Sequence, residues 1–137
     1  MTAYRLEFDR RHSYTQHSGI TLPVILSSGA DNRVSLRAKL DTGSTYCIFE
    51  KGYADWLELD LTSGTGTRIA TATGSFYTYG HEVTVSVLDL EWQAVVYFAE
   101  AEEFAINVVG RIGFLDRLEV GIIDYEELLY IGLYDKT

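Results

Sequence analysis

The sequence predicts a mostly β domain, a small barrel or sandwich carrying one or two short helices. Three observations lead there. Apolar and polar residues alternate in several short runs, the period of a half-buried strand. Turn signals recur closely between those runs, which argues against a parallel α/β sheet. The 137 residues also include ten tyrosines and twelve glycines, with many β-branched side chains, a composition suited to strands and turns. A chain of this length is expected to form one domain, residues 1–137, with a core large enough to need no staples.

The elements follow in order. "ITLPVILSS" (20–28) reads as a strand, "GADNR" (29–33) as a turn and "VSLRAKL" (34–40) as the hairpin partner. "TYCIFE" (45–50) looks like a short buried strand. In "GYADWLEL" (52–59), Tyr53, Trp56 and Leu57 fall at i, i+3 and i+4, predicting a short helix with those three on one face. Residues 67–90 have a glycine-containing centre between two β-like arms, predicting a long hairpin with its tip near Thr73 to Tyr77. "QAVVYFA" (93–99) and "INVVG" (106–110) read as strands. "FLDRLEV" (114–120) places Phe114, Leu115 and Leu118 on one face of a helix of about two turns. "GIIDY" and "LLYIGLY" finish the chain as strands.

Charge and cysteine content exclude several function classes. The net charge of −9 repels phosphate backbones, so no nucleic-acid partner is expected. Cys47 is the single cysteine, which rules out an intramolecular disulfide. No run is apolar enough for a signal peptide or a membrane span, so a cytoplasmic protein without a membrane partner is the expectation. The histidines His12, His17 and His81 lack ligand spacing, and "SGTGTR" (63–68) lacks the Lys-Ser/Thr ending of a phosphate loop. Neither a metal nor an organic cofactor is expected. No Gly-x-Ser-x-Gly elbow occurs, and Cys47 sits among apolar neighbours, where a thiol is inert.

What is left is "KLDTGS" (39–44), where an alternating strand runs into Asp41, Thr42, Gly43 and Ser44. One reading is a strand-ending turn in which the Asp41 carboxylate bonds to nearby backbone N–H groups. The other is an active site, with small residues that let backbone approach closely. The wider order of motifs bears on the choice. Some seventy residues on, "NVVGRIGFLDRL" (107–118) has two valines, a glycine and an expected helix. Between them lies "IATATGSFYTYG" (69–80), the centre of the long hairpin.

This ordered set resembles the retropepsin-like aspartic proteases, the single-lobe relatives of pepsin, over roughly residues 20 to 133. The resemblance implies a small closed β-barrel of the acid-protease type and an aspartic endopeptidase acting on peptide or protein substrates. Asp41 would be the catalytic carboxylate, and Thr42 would bond to its counterpart in a partner chain. Gly43 would lie beside the carboxylate and the substrate. Ser44, Gly74, Ser75, Phe76 and Gly110 would complete the substrate-binding set, with Val109 and Gly110 packed behind the active-site loop. Retroviral members carry an aspartate four residues after the catalytic one, paired with the arginine of the Gly-Arg segment. Here that place is Thr45, so Arg111 is expected to turn to Asp116 or Glu119.

The chemistry needs two carboxylates on one water, and this chain supplies one Asp-Thr-Gly. A homodimer with Asp41 facing Asp41 across a two-fold axis is therefore the expectation. The ends "AYRLEFD" and "LLYIGLY" could add to an intermolecular sheet, or form edges of the chain's own sheet. The rival is a non-catalytic module of the same fold that binds peptides or another protein.

Overall fold

The alternating runs fold as strands whose apolar side chains turn to one side. The computed structural model describes residues 1–15, 19–72 and 74–136; His17 and Thr73 lie outside the described residues. After β1 (Arg10–Ser13) come β2 (Thr21–Ser28) and β3 (Asn32–Leu40), paired antiparallel across a loop at residues 29–31. Leu22, Val24 and Leu26 on β2 and Leu36, Ala38 and Leu40 on β3 are buried. The intervening Pro23, Arg37 and Lys39 are exposed. Pro23 is tolerated because β2 meets its second neighbour only at residues 25–27, beyond the missing N–H.

Next come β4 (Ile48–Phe49) and α1 (Lys51–Trp56). The helix is where the sequence places it, but its face differs. Ala54 and Leu57 are buried, while Trp56 is 71% exposed. Ala54 and Leu57, three residues apart, set the buried face, and Trp56 stands about 100° round the helix from Leu57 and on the far side from Ala54, so its ring is left in solvent.

β5 (Thr65–Thr71) and β6 (Gly74–Val87) form the long hairpin, and β6 then pairs with β7 (Leu90–Ala99). The hairpin tip is narrower than expected. Thr71 pairs with Gly74, so Ser75, Phe76 and Tyr77 belong to β6 and not to the turn. A second turn, Leu88-Asp89, has both residues at positive φ (50° and 68°), the backbone that suits a two-residue hairpin.

β8 (Val108–Val109) runs parallel to β3, and antiparallel to β4. The expected helix at 114–120 is not formed. Leu115–Arg117 make one 3-10 turn, and β9 (Leu118–Ile123) begins directly after it. Phe114 and Leu118 are buried as the apolar pattern requires. The backbone from Leu118 onward is instead taken up by the ladder to β10 (Leu128–Leu133), where Leu118 pairs with Leu133.

Seven strands form a sheet in the order β2-β3-β8-β4-β7-β6-β5, and β2 also pairs with β6. The sheet is thus ring-like, with β5 continuing past the point of closure. Its interior holds fully buried Phe49, Phe98 and Phe114 among aliphatic side chains, each contributing about 2 kcal/mol by leaving water. A separate three-stranded sheet runs β1-β10-β9. Both ends of the chain therefore pair within the chain itself. β10 is the central strand with neighbours on both edges, and "AYRLEFD" precedes β1, touching β10 through Asp9 N–H, which donates to the Ile131 carbonyl at 3.0 Å.

Candidate functional site

β3 ends at Leu40, and the next residue is held where β3 and β8 run side by side. Asp41 N–H donates to the Val109 carbonyl at 3.0 Å, and Ser44 N–H donates back to the Asp41 carbonyl at 3.1 Å, closing a tight turn. Within it Gly43 N–H donates to Asp41 Oδ1 at 2.9 Å. A Cβ at Gly43 would stand 3.3 Å from that oxygen, so glycine lets the carboxylate lie against the backbone. Oδ2 has no partner among the described residues, and the side chain is exposed. The turn reading and the site reading are thus compatible: Oδ1 is tied to Gly43 N–H while the residue stays exposed.

The loop is braced from below. Ser44 Oγ donates to the Tyr46 carbonyl at 2.7 Å. Arg111 N–H reaches the Ser44 carbonyl at 2.9 Å, and Ile112 N–H the Thr45 carbonyl at 2.8 Å. Gly110 lies between these strands. A Cβ there would meet the Ser44 carbonyl oxygen at 2.4 Å and that of Tyr46 at 2.6 Å. Cys47 Sγ accepts from Gly110 N–H at 3.4 Å. Burial and the nearby Asp116 carboxylate push this thiol up to about 11, against a smaller lowering by the Gly110 N–H.

Two cavities share Asp41 in their walls. One, of about 400 Å³, is lined by Asp41, Ser44, Gly74, Ser75 and Phe76, with Ile48, Thr71, Phe104, Ile106 and Val108. The other, of about 370 Å³, lies between residues 43–46 of the loop and residues 68–72, the end of β5 and Ala72 beyond it. The hairpin and the Asp41 loop therefore face each other across a cleft. Gly74 at the hairpin tip has φ +150° with open space around it, so its glycine serves the backbone and not the packing.

The predicted residues divide as follows. Asp41, Ser44, Gly74, Ser75 and Phe76 meet at one cavity, and Gly43 lines the other. Gly110 lines neither; it is buried behind the loop with Val109. Thr42 is exposed beside Asp41, its hydroxyl without a hydrogen bond among the described residues. Arg111 pairs with neither expected carboxylate. Asp116 accepts from Gly113 N–H at 3.0 Å and lies 3.5 Å from Arg117 Nε, while Glu119 is 3.6 Å from Lys136. The tight turn through residues 110–116 ties the exposed Asp116 to Gly113 N–H and leaves the Arg111 side chain exposed as well.

Phe104 and Ile106 line the cleft and escaped the sequence reading. Phe104 stacks on Phe76 with ring centroids 4.4 Å apart. The signal was present: Phe104, Ile106 and Val108 alternate at a period of two, but only Val108 is in a strand. Asn107 between them fixes this wall. Its Oδ1 accepts from Glu50 N–H at 3.0 Å and its Nδ2 donates to Glu50 Oε2 at 2.5 Å.

Neither the protein-family models nor the curated proteins give a significant sequence match to this chain. Solved structures do match it in shape. A retropepsin-like aspartic protease from Rickettsia conorii superposes with a TM-score of 0.65 at 20% identity, covering 88% of this chain and 96% of that one. EIAV protease, in a complex with an inhibitor, superposes with a TM-score of 0.56 at 19% identity over 73% of this chain and 88% of the other. The mostly β, ring-like architecture is thus the retropepsin-like fold.

Proposed function

We propose that the chain is an aspartic endopeptidase that works as a homodimer, each copy supplying Asp41 to one shared water. The observation that carries this reading is the placement of Asp41. It is an exposed carboxylate, oriented through one oxygen by Gly43 N–H, at the meeting of two cavities beneath a β-hairpin.

A single carboxylate does not complete the reaction. Two carboxylates about 3 Å apart cannot both ionise, so the pair holds one proton. The ionised member removes a proton from water as the water attacks the peptide carbonyl. The protonated member polarises that carbonyl and then returns a proton to the leaving amine. The exposed Thr42 hydroxyl is available to a counterpart next to such a pair. The apolar cavity formed by Ile48, Phe76, Phe104 and Ile106 suits a bulky apolar side chain next to the scissile bond. EIAV protease in its inhibitor complex lends support by fold alone.

One observation favours a different reading, a non-catalytic peptide-binding module that stays monomeric. β10 has both edges filled within the chain, so an intermolecular sheet would have to use the outer edges of β1 or β9.

The test compares wild type and Asp41→Asn on a mixed peptide library, with the solution mass of each measured first. The expected result is cleavage by a wild-type dimer that falls about a thousandfold or more in an equally dimeric variant. A folded monomer that cleaves nothing would leave the binding module as the reading. The rate should peak on the acidic side of neutral, because the pair must keep its proton and because each copy carries a net charge of −9. A rate that climbs steadily from pH 6 to pH 9 would count against the shared proton.

A further inference from the structure

We infer that Trp56 and the carboxylates around it form a docking site for a basic peptide segment, distinct from the Asp41 cleft. Trp56 ends α1 and is 71% exposed. Its indole makes no ring or cation–π contact among the described residues. The other tryptophan, Trp92, is half-buried, packs against Phe114 and donates from Nε1 to the Gly113 carbonyl at 2.8 Å. The contrast sets Trp56 apart: its indole face is left open to solvent, where a cation can reach it.

The ring also stands between two hollows. One, of about 280 Å³, is bordered by Trp56, Asp55, Glu50, Lys51 and Glu102. The other, of about 420 Å³, is bordered by Trp56, Asp55 and Glu58. Asp55 and Glu58 enter no ion pair among the described residues. Lys51, the cation on this rim, faces Glu102 at 3.4 Å. This surface, a hollow and a shallower depression that share Trp56 and Asp55, carries an aromatic face and excess negative charge, which complement a guanidinium or ammonium. The cation lies over the ring while its donors reach the carboxylates. Two hollows flanking one ring fit successive basic side chains of an extended segment. An acidic or purely apolar segment would meet uncompensated carboxylates on both sides.

None of these residues lines either cavity beside Asp41, so the inference stands whether or not the chain cleaves peptides. Under the protease reading the patch would retain substrates or partners that carry a basic stretch outside the cleft.

The experiment uses the full chain with Asp41→Asn, so that the probe stays intact. A nonapeptide of alternating arginine and glycine is titrated while tryptophan fluorescence is followed, with a glutamate-glycine peptide as control. The arginine peptide should change the fluorescence saturably, and the control should not. Trp56→Ala should weaken binding, measured by calorimetry, at least about fivefold while the Trp92 emission and the melting temperature hold. The double change Asp55→Lys and Glu58→Lys should weaken it similarly and remove its salt dependence. No response to the arginine peptide, or binding unchanged in Trp56→Ala, would overturn the inference. Binding of both peptides alike would also overturn it, because it would show no selection for positive charge.

Discussion

The floor of the cleft carries Asp41 and the hairpin lies opposite it; each depends on one glycine, Gly110 in the floor and Gly74 by the hairpin tip, yet the two are held in different ways. The floor, residues 39–47 with 107–113, is laced by main-chain bonds between segments some seventy residues apart. The hairpin is anchored at one end, where β6 runs on into the ring, and β5 is the last strand of the sheet. Along its outer part each strand has only the other as a ladder partner, aided by Thr78 Oγ1 donating to the Thr67 carbonyl at 2.9 Å. Carboxylate geometry is therefore set by backbone that is hydrogen-bonded across two distant segments of the chain. Access is set by an element whose outer part rests on the floor through the side chains of Ile69 and Phe76, so it can open at a smaller cost than the floor can shift.

Substituting the two glycines should expose this difference most strongly. Gly110→Ala puts a methyl group 2.4 Å from one carbonyl oxygen and 2.6 Å from another, both backbone. The Asp41 loop must shift to admit it. The expected cost is about 3 kcal/mol, a drop in Tm of about 10 °C, with loss of any Asp41-dependent activity. At the hairpin tip Gly74→Ala meets no neighbour and carries only the strain of φ +150°, about 1 kcal/mol. Thermal melts of the two variants check the ordering; equal shifts would mean that the floor is as pliable as the hairpin.

The floor also contains the titration that should dominate alkaline stability. The Cys47 thiol is raised from 9.0 to about 11, first by burial and then by Asp116. A group whose folded pKa lies above its unfolded value stabilises fully below the unfolded value and loses that contribution as pH rises through the folded one. Stability should therefore fall between pH 9 and pH 11, by about 2 kcal/mol. Denaturant melts across that range should show a shallower fall in Cys47→Ala. The Tyr14 phenol, pushed up to about 12 by burial and by its bond to Asp124, gives up its share only above pH 10. A wild type that is flat from pH 9 to 11 would show that the thiol is reached by water. In the native state at pH 7 the thiol should resist aromatic disulfide reagents until the chain unfolds.

How much of this was legible in the sequence follows the same division. The route into Asp41 was plain because a period of two in β3 buries Leu36, Ala38 and Leu40 and needs no knowledge of partners. The hairpin was plain for the same reason. What the floor hangs on was not. Gly110 reads as a strand stop, and only the crossing of β8 behind the loop shows why no side chain fits. The 114–120 segment has helical spacing, but pairing of Leu118 with Leu133 overrides it. The Leu88-Asp89 turn lacks glycine and asparagine, and is forced by the register of β6 with β7. Trp56 shows the converse: the spacing that locates the helix groups it with Tyr53 and Leu57, but the core takes Ala54 and Leu57 and leaves the indole outside.

An effect on stability as small as that of Gly74→Ala should come from one of the contacts that join the two regions, the stack of Phe76 on Phe104. Both rings are half-buried, so Phe104→Ala should cost about 1 kcal/mol, well below the 3–5 kcal/mol of a core phenylalanine. The floor bonds do not pass through this stack, whereas the hairpin loses a contact to the opposite wall. Amides of residues 65–77 should then exchange with solvent severalfold faster in the variant, while those of β3 and β7 keep their rates. If the cleft binds peptides, Phe104→Ala should raise KM for aromatic substrates more than it lowers kcat, because the wall changes and Asp41 does not. Unchanged exchange in the hairpin would show that Ile69, packed against Ile48 and Val108, holds it down alone. The cleft would then be closed by its apolar floor, with the aromatic stack as mere lining.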